Sequence, residues 1–291
     1  MYIVGEEKYN IYNENKITRL IPKGILKKLK PKVLDIVYNL ENEEIGIIAN
    51  INMGEEKIHK LILGIEKIKG PNTKYLILEE RELFNREDIH KIETETGLQV
   101  LDGLQVIIHF FPLVLKENLM GKEILIFNEN LEITKEFILS ISKDVKSITL
   151  VEEDENIVEE MYNYILEKTG LSIFHSKDIN KILKNYSIII NFNGNIKIDE
   201  GRLRKEVLIF DFSLERPLKN MGKYPVVEDF IFKGEALNMK ENKWIGAKLS
   251  SAVYEYFKNF QIVDFMGLLV DGEVYSPKNF ISGKIRHIRR L

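Results

Sequence analysis

The sequence predicts an α/β protein of two domains. Apolar runs of strand length alternate with helix-length segments whose apolar residues recur every three or four positions. Gly, Pro and Asn fall between them as breakers. The 291 residues exceed the ~100–200 typical of one domain. The expected boundaries are an N-terminal α/β domain over residues 1–118 and a parallel-sheet domain over 119–242. Residues 243–291 then form a C-terminal helix and basic tail that return to the first domain.

In chain order, residues 2–20 alternate in places around the turn-prone Asn13-Glu14-Asn15 and predict a hairpin. The lysine cluster of residues 22–31 reads as a solvated face. Ile45-Gly-Ile-Ile-Ala-Asn-Ile51 is a buried strand. Residues 55–69 put Ile58, Leu61, Ile62, Ile65 and Ile68 on one helical face, and Gly70-Pro71-Asn72 ends the helix. A second strand at 75–78, a helix at 86–96 capped by Gly97 and a short strand at 98–101 follow. Strands alternating with helices predict parallel pairing throughout this half. The apolar stretch 104–119 has helical length and reads as a buried helix linking the domains.

The second half repeats the pattern more strongly. Strands are expected at 123–127, 147–152, 171–174, 187–191, 207–211 and 265–270. Helices are expected at 131–142, 154–168 (capped by Gly170), 178–185 and from Trp244 to Lys258. In the first of these helices Ile133, Phe137, Ile138 and Ile141 share a face.

Composition excludes several functions. There are 42 Lys+Arg against 45 Asp+Glu, so the net charge of −3 makes no global case for nucleic acid or an anionic membrane. No apolar run approaches the ~20 residues of a membrane span, and the start lacks a basic segment followed by an apolar one, so a cytoplasmic location is expected. With no Cys there is no disulfide, thiolate zinc site, iron–sulfur cluster or cysteine nucleophile. Ala occurs only four times, which reads as a coding bias toward Ile, Lys, Asn and Glu.

Residues 123–190 form a strand–helix series with short connections, and its first strand–helix–strand spans about 30 residues, the size of a βαβ crossover. Glu152 ends the second strand, where a dinucleotide-binding fold puts the carboxylate that receives the ribose hydroxyls. The strand Ile188-Ile-Ile-Asn191 runs into Phe192-Asn193-Gly194-Asn195, a turn at the carboxyl edge where open α/β sheets hold ligands. Another strand, Leu208-Ile-Phe-Asp211, continues into Phe212-Ser213-Leu-Glu-Arg216-Pro217.

This order resembles the NAD(P)-binding, Rossmann-like domain of the shikimate dehydrogenase and glutamyl-tRNA reductase group, to which acyl-carrier-protein aldehyde-forming reductases are related. The resemblance covers roughly residues 119–240 and lies in pattern more than identity. It implies an oxidoreductase with NAD or NADP as cofactor, Glu152 at the ribose, Asn193 and Gly194 near the nicotinamide end, and Asn128 to Asn130 in place of the glycine turn. The departures are specific. The glycine-rich turn is missing: Asn128-Glu129-Asn130-Leu131-Glu132 stands there instead. Asn tolerates left-handed backbone, so Asn128 and Asn130 are expected to supply positive φ. Glu129 and Glu132 add negative charge where a pyrophosphate would sit. The cysteine of the thioester-forming relatives is absent, and the Lys-containing loop of the shikimate dehydrogenases is not found in residues 51–111. The alternative reading is therefore a non-catalytic ligand- or partner-binding protein that has lost cofactor binding.

Other candidates are weaker. Asp211, Ser213 and Arg216 form a second crevice set: Arg216 is suited to an anionic ligand, while Asp211 and Ser213 serve equally well as turn caps. The dispersed His59, His90, His109, His175 and His287 make no metal spacing, so no metal is expected, and His109 in its apolar run reads as a core histidine. Tyr254-x-x-x-Lys258 has the spacing of a catalytic pair but follows the last expected strand of the sheet. The basic residues 284–290 read as a solvated tail rather than a nucleic-acid contact. The expected partner is a small-molecule ligand; a homodimer is compatible with the sequence, which does not fix the oligomeric state.

Overall fold

The computed structural model describes residues 32–38, 44–51, 57–79, 81–233, 238–239, 248–256 and 262–283. The expected hairpin at 2–20, the lysine cluster at 22–31, Lys258, His287 and the tail beyond Gly283 lie outside them. The chain divides into two compact units. One draws on Met1–Asp102 and Gly234–Leu249, the other on Gly103–Lys233 and Ser250–Leu291.

In the first unit, β1 (Lys32–Tyr38) and β2 (Glu44–Asn50) pair antiparallel, and β12 (Asn238–Met239) pairs antiparallel with β1 on its other side. The connection from β1 to β2 is too short for a crossover and permits only an antiparallel neighbour. Helix α1 (Lys57–Ile68), β3 (Tyr75–Leu76), α2 (Arg86–Thr96) and β4 (Gln99–Val100) follow. Among the described residues of this unit parallel pairing is confined to β3 and β4, and residues 44–50 pair antiparallel with β1, so the expectation of parallel pairing for residues 45–51 is corrected. Leu61, Ile62 and Ile65 of α1 and Ile92 of α2 pack with Leu76 and Leu78 in one core, as the helical spacing predicts. Asn85 and Asp88 form a reciprocal capping box at the start of α2.

The second unit opens with α3 (Leu104–Leu119). Six parallel strands follow in chain order: β5 (Glu123–Phe127), β6 (Ser147–Val151), β7 (Ile173–Ser176), β8 (Ile188–Asn191), β9 (Leu208–Asp211) and β10 (Val226–Val227). Their spatial order is β10-β9-β8-β5-β6-β7. This is the doubly wound order of a Rossmann sheet, with the switch point between β5 and β8. Helix α4 (Leu131–Ile141) joins β5 to β6, α5 (Glu155–Thr169) joins β6 to β7, and the short α6 (Ile179–Ile182) precedes β8. Gly97 and Gly170 cap their helices in left-handed backbone as expected.

Both faces of the sheet are buried. Leu125, Phe127, Ile189 and Ile209 meet Leu183, Leu203, Leu218, Met221 and Tyr224 on one side. On the other, α3 lies against α4 and the sheet through Phe111, whose ring contacts Phe137, Phe210, Phe212 and Phe230. This aromatic contact explains why α3 falls in the second unit, although the sequence put the junction after residue 118. It also holds a helix whose interior carries Pro112, a residue that removes one backbone hydrogen bond.

An antiparallel ribbon of β11 (Asp229–Lys233), β14 (Phe265–Val270) and β15 (Glu273–Tyr275) extends the second unit. The β14–β15 turn is Asp271-Gly272, with φ of 52° and 79°, the mirror-image turn that matches strand twist. After β13 (Lys248–Ser250), α7 (Ser251–Glu255) packs on α3 within this unit. Tyr254 and Phe110 are in ring contact, and the Gly103 N–H donates to Glu255 Oε2 at 2.8 Å. A Cβ on Gly103 would strike the α7 backbone at Ala252. Of the helix expected from Trp244 to Lys258, residues 248–250 are strand instead and Ser251–Glu255 are helical. Helix α8 (Pro277–Ile281) ends the described chain, with Phe280 against Phe210.

Candidate functional site

In an open parallel sheet the carboxyl ends of the strands, where the helices begin, form the usual ligand crevice. At the switch point here, β5 ends in Asn128-Glu129-Asn130 and β8 in Phe192-Asn193-Gly194. Asn130 is the N-cap of α4. Its φ is −122°, and its Oδ1 accepts from the amides of Glu132 at 3.0 Å and Ile133 at 3.2 Å. Neither Asn128 nor Asn130 adopts positive φ. Among the described non-glycine residues only Arg216 and Asp271 do, so that expectation is corrected. The turn needs no left-handed residue because an extended Asn130 caps the helix with its own side chain.

Asn128 is buried and fully engaged. Its backbone N–H donates to the Val151 carbonyl at 3.2 Å, its Nδ2 to Glu152 Oε2 at 2.5 Å, and its Oδ1 accepts from Thr134 Oγ1 at 2.7 Å. Glu152 stands at the end of β6 as predicted. Its Oε1 accepts from the amides of Glu153 at 2.8 Å and Asp154 at 3.2 Å. The carboxylate that a ribose would use is therefore bonded to this chain's own donors.

Two side-chain bonds cross the switch point. Asn193 Nδ2 donates to the Asn128 carbonyl at 3.0 Å, and the Gly194 N–H donates to Glu129 Oε2 at 2.8 Å. Asn193 Oδ1 is taken by the Asn195 amide at 2.8 Å. Gly194 is not left-handed. Its missing Cβ makes room for Glu215, whose carboxylate a side chain there would strike. Carboxylates thus approach the Gly194 backbone from Glu129 and from Glu215.

The network continues to the next strand, where Asn191 and Asp211 are register partners at the ends of β8 and β9. Both are fully buried. Asn191 Nδ2 donates to Asp211 Oδ1 at 2.8 Å and to the Asn193 carbonyl at 3.0 Å, and its Oδ1 accepts from the Asn193 amide. Asp211 also accepts from Ser213 Oγ at 2.6 Å and the Leu218 amide at 2.8 Å. Burial pushes the Asp211 carboxyl above its ordinary pKa, and the hydrogen bonds from Ser213, Leu218 and Asn191 partly oppose that rise. Ser213 Oγ in turn accepts the Arg216 amide at 3.1 Å.

Arg216, in left-handed backbone at φ 49°, sends its guanidinium to Glu228. Glu228 is buried, with Arg216 Nη1 at 3.4 Å, Lys219 Nζ at 2.9 Å and the Asp271 amide at 3.0 Å. The anion that Arg216 holds is thus a side chain of this protein. Asp211 and Ser213 serve as turn caps.

The structure therefore joins Asn128, Asn130, Glu152, Asn193 and Gly194 in one place, and links them through Asn191 to Asp211, Ser213 and Arg216. It adds Glu129, Thr134, Asn191, Glu215 and Glu228. Asn191 and Asp211 were readable as a pair, since both end adjacent strands; the Glu129–Gly194 bond spans 65 residues and has no local signal. Of the remaining candidates among the described residues, only His175 touches this edge. His109 is exposed, correcting its expected core position, and His59 and His90 are exposed as well. His175 Nε2 lies 2.7 Å from the Glu152 carbonyl. Tyr254 is buried and donates to Asp264 at 2.5 Å. Among the described residues no group of three His, Asp or Glu is arranged to hold a metal ion, and no helix is long and apolar enough to cross a membrane.

A dinucleotide needs backbone amides at the start of α4 for its pyrophosphate and a carboxylate at the end of β6 for its ribose. Here the amides of Glu132 and Ile133 are capped, the Gly194 amide is taken, and Glu152 already accepts three hydrogen bonds from this chain, so the residues present do not fit that group.

The six-stranded sheet of the second unit has the strand order of a Rossmann fold. No family model and no curated protein matches the chain. Solved structures similar to it include quinate dehydrogenase from Corynebacterium glutamicum in complex with NAD, at 9% identity, 72% of this chain, 78% of that chain and TM-score 0.33. Shikimate dehydrogenase from Aquifex aeolicus matches at 12% identity, 72% and 77% coverage and TM-score 0.31. L-tryptophan dehydrogenase from Nostoc punctiforme matches at 15% identity over 50% of this chain, with TM-score 0.27, and this chain spans only 43% of its length. Likenesses this distant decide neither reaction nor ligand, and the scaffold stands on its own strand order.

Proposed function

We propose that this chain is a non-catalytic ligand- or partner-binding protein built on a dehydrogenase scaffold whose dinucleotide crevice is closed by its own side chains. One observation carries the reading: a continuous hydrogen-bond chain from Glu152 through Asn128, Asn193, Asn191 and Asp211 to Ser213 occupies the carboxyl edge across four adjacent strands. Opening it for a cofactor would leave several buried polar groups without partners, at about 1–3 kcal/mol each. Two carboxylates, Glu129 and Glu215, meet at the Gly194 turn of the switch point and oppose phosphates there electrostatically. The cysteine of the thioester-forming relatives is absent, and the Lys-containing loop of the shikimate dehydrogenases is not found in residues 51–111.

The rival reading is an NAD- or NADP-dependent oxidoreductase with a remodelled site. It rests on the strand order and on Glu152 at the end of β6. Titration of the purified protein with NADH and NADPH, followed by nucleotide fluorescence and calorimetry, separates the two. The closed-crevice reading expects no saturable signal up to millimolar cofactor; saturation in the micromolar range would favour the oxidoreductase.

A further inference from the structure

We infer that Glu129 is the specificity-determining residue of this crevice: its carboxylate is a built-in substitute for a ligand anion, and it shuts the switch point against phosphate-bearing molecules. The inference rests on the closed-crevice reading and assigns its exclusion to one side chain.

Three features single out Glu129 from the other polar groups along the edge. It follows Asn128 directly at the end of β5, in the turn that leads into α4, where a helix N-terminus attracts negative charge. Its Oε2 reaches across to the turn after β8 and takes the Gly194 N–H at 2.8 Å, a backbone donor at the switch point that is thereby closed to a ligand anion. It is half-exposed, unlike Asn128, Asn191 and Asp211, so it can leave its position without emptying the core.

The neighbouring groups hold helix and turn ends in place. Asn130 satisfies two amides of α4, and Glu152 satisfies two amides at the start of the following turn. Removing either one disturbs a helix end. Removing the Glu129 side chain releases the Gly194 amide and withdraws one negative charge from the crevice. Glu215 then remains packed on Gly194 and keeps that turn in place.

The test compares wild type, Glu129→Gln and Glu129→Ala. Inorganic pyrophosphate, ADP-ribose and NADH serve as probes in calorimetric titrations, and amide hydrogen exchange at Gly194 reports the latch. Gln keeps an acceptor for the Gly194 N–H while losing the charge; Ala loses both. The expected order of affinity for pyrophosphate and ADP-ribose is Ala above Gln above wild type, with Ala at least about tenfold tighter than wild type. Exchange at Gly194 should be fastest in Ala. Thermal melts establish that both variants are folded, and Gln alone supplies the comparison should Ala fail to fold.

The inference is overturned if Gly194 exchanges faster in Ala while no probe binds more tightly than to wild type. It is equally overturned if exchange at Gly194 does not change. Tight binding of NADH to the wild type would instead contradict the closed-crevice reading, and it is scored from the wild-type arm alone.

Discussion

The two edges of the six-stranded sheet have opposite characters. At the carboxyl edge the strand-ending residues Asn128, Asn191 and Asp211 are buried and bonded to one another through Asn193 and Ser213. At the amino edge a cleft of 770 Å³ lies open, lined by residues such as Asn118, Lys122, Lys146, Ser187, Arg204 and Glu206. Its lysines are solvent-exposed, and Lys146 pairs with Glu123 at 2.8 Å on the surface. Helix C-termini point to this edge and favour cations there, so Lys122 after α3 and Lys146 after α4 sit where the helix dipoles want them. The difference teaches that polar residues at a strand end are not by themselves a binding site. At one edge they are internal fastenings; at the other they are a solvated rim.

The largest expected effect on this contrast comes from Asp211→Ala. It strands the Asn191 amide, the Ser213 hydroxyl and the Leu218 N–H in the interior, and a loss of roughly 3 kcal/mol or more is expected in a denaturant melt. Asn128→Ala should cost about 1–2 kcal/mol, because it leaves Thr134 and one oxygen of Glu152 without their partner. Asn130→Ala removes the α4 cap and should cost about 1 kcal/mol. At the other edge Lys146→Ala breaks an exposed ion pair and should change stability by less than about 0.5 kcal/mol. A loss at Lys146 comparable to that at Asp211 would erase the distinction between the edges.

Asp211 also predicts a pH dependence. Because burial raises its folded pKa above the unfolded value, the folded chain binds this proton more tightly than the unfolded chain does. Its contribution to stability is therefore full below the ordinary carboxylate range, near pH 4, and is lost as pH rises through the raised value. Asp211→Asn keeps an amide at the position but does not titrate. The stability difference between wild type and Asp211→Asn should consequently shift against wild type as pH rises from 4 to 7. A difference that is flat in pH would show that Asp211 does not titrate there.

The sheet of the second unit was legible because its signals are local. The runs Glu123–Phe127 and Leu208–Asp211, the helical face of residues 131–142 and Gly170 declare themselves within a few residues, and the parallel pairing follows from crossover length. The assignment of Leu104–Leu119 to its unit was not, because it depends on Phe111 meeting rings at 137, 210, 212 and 230. The ribbon of β11, β14 and β15 was legible only in part: Asp271-Gly272 is a hairpin signal, but its pairing with Asp229–Lys233 is long-range. At the crevice the positions of Asn128, Glu152 and Gly194 could be read from spacing. Their partners could not, since Asn193 and Asn128 are 65 residues apart and Asn191 and Asp211 are 20 apart.

The most direct test of the closed carboxyl edge is a crystal of the protein soaked with NADH or NADPH. The account predicts an unchanged edge, with Asn130 Oδ1 on the amides of Glu132 and Ile133 and the Gly194 N–H on Glu129. An ordered pyrophosphate at the start of α4, with Asn130 and Glu129 displaced and a ribose on Glu152, would contradict it.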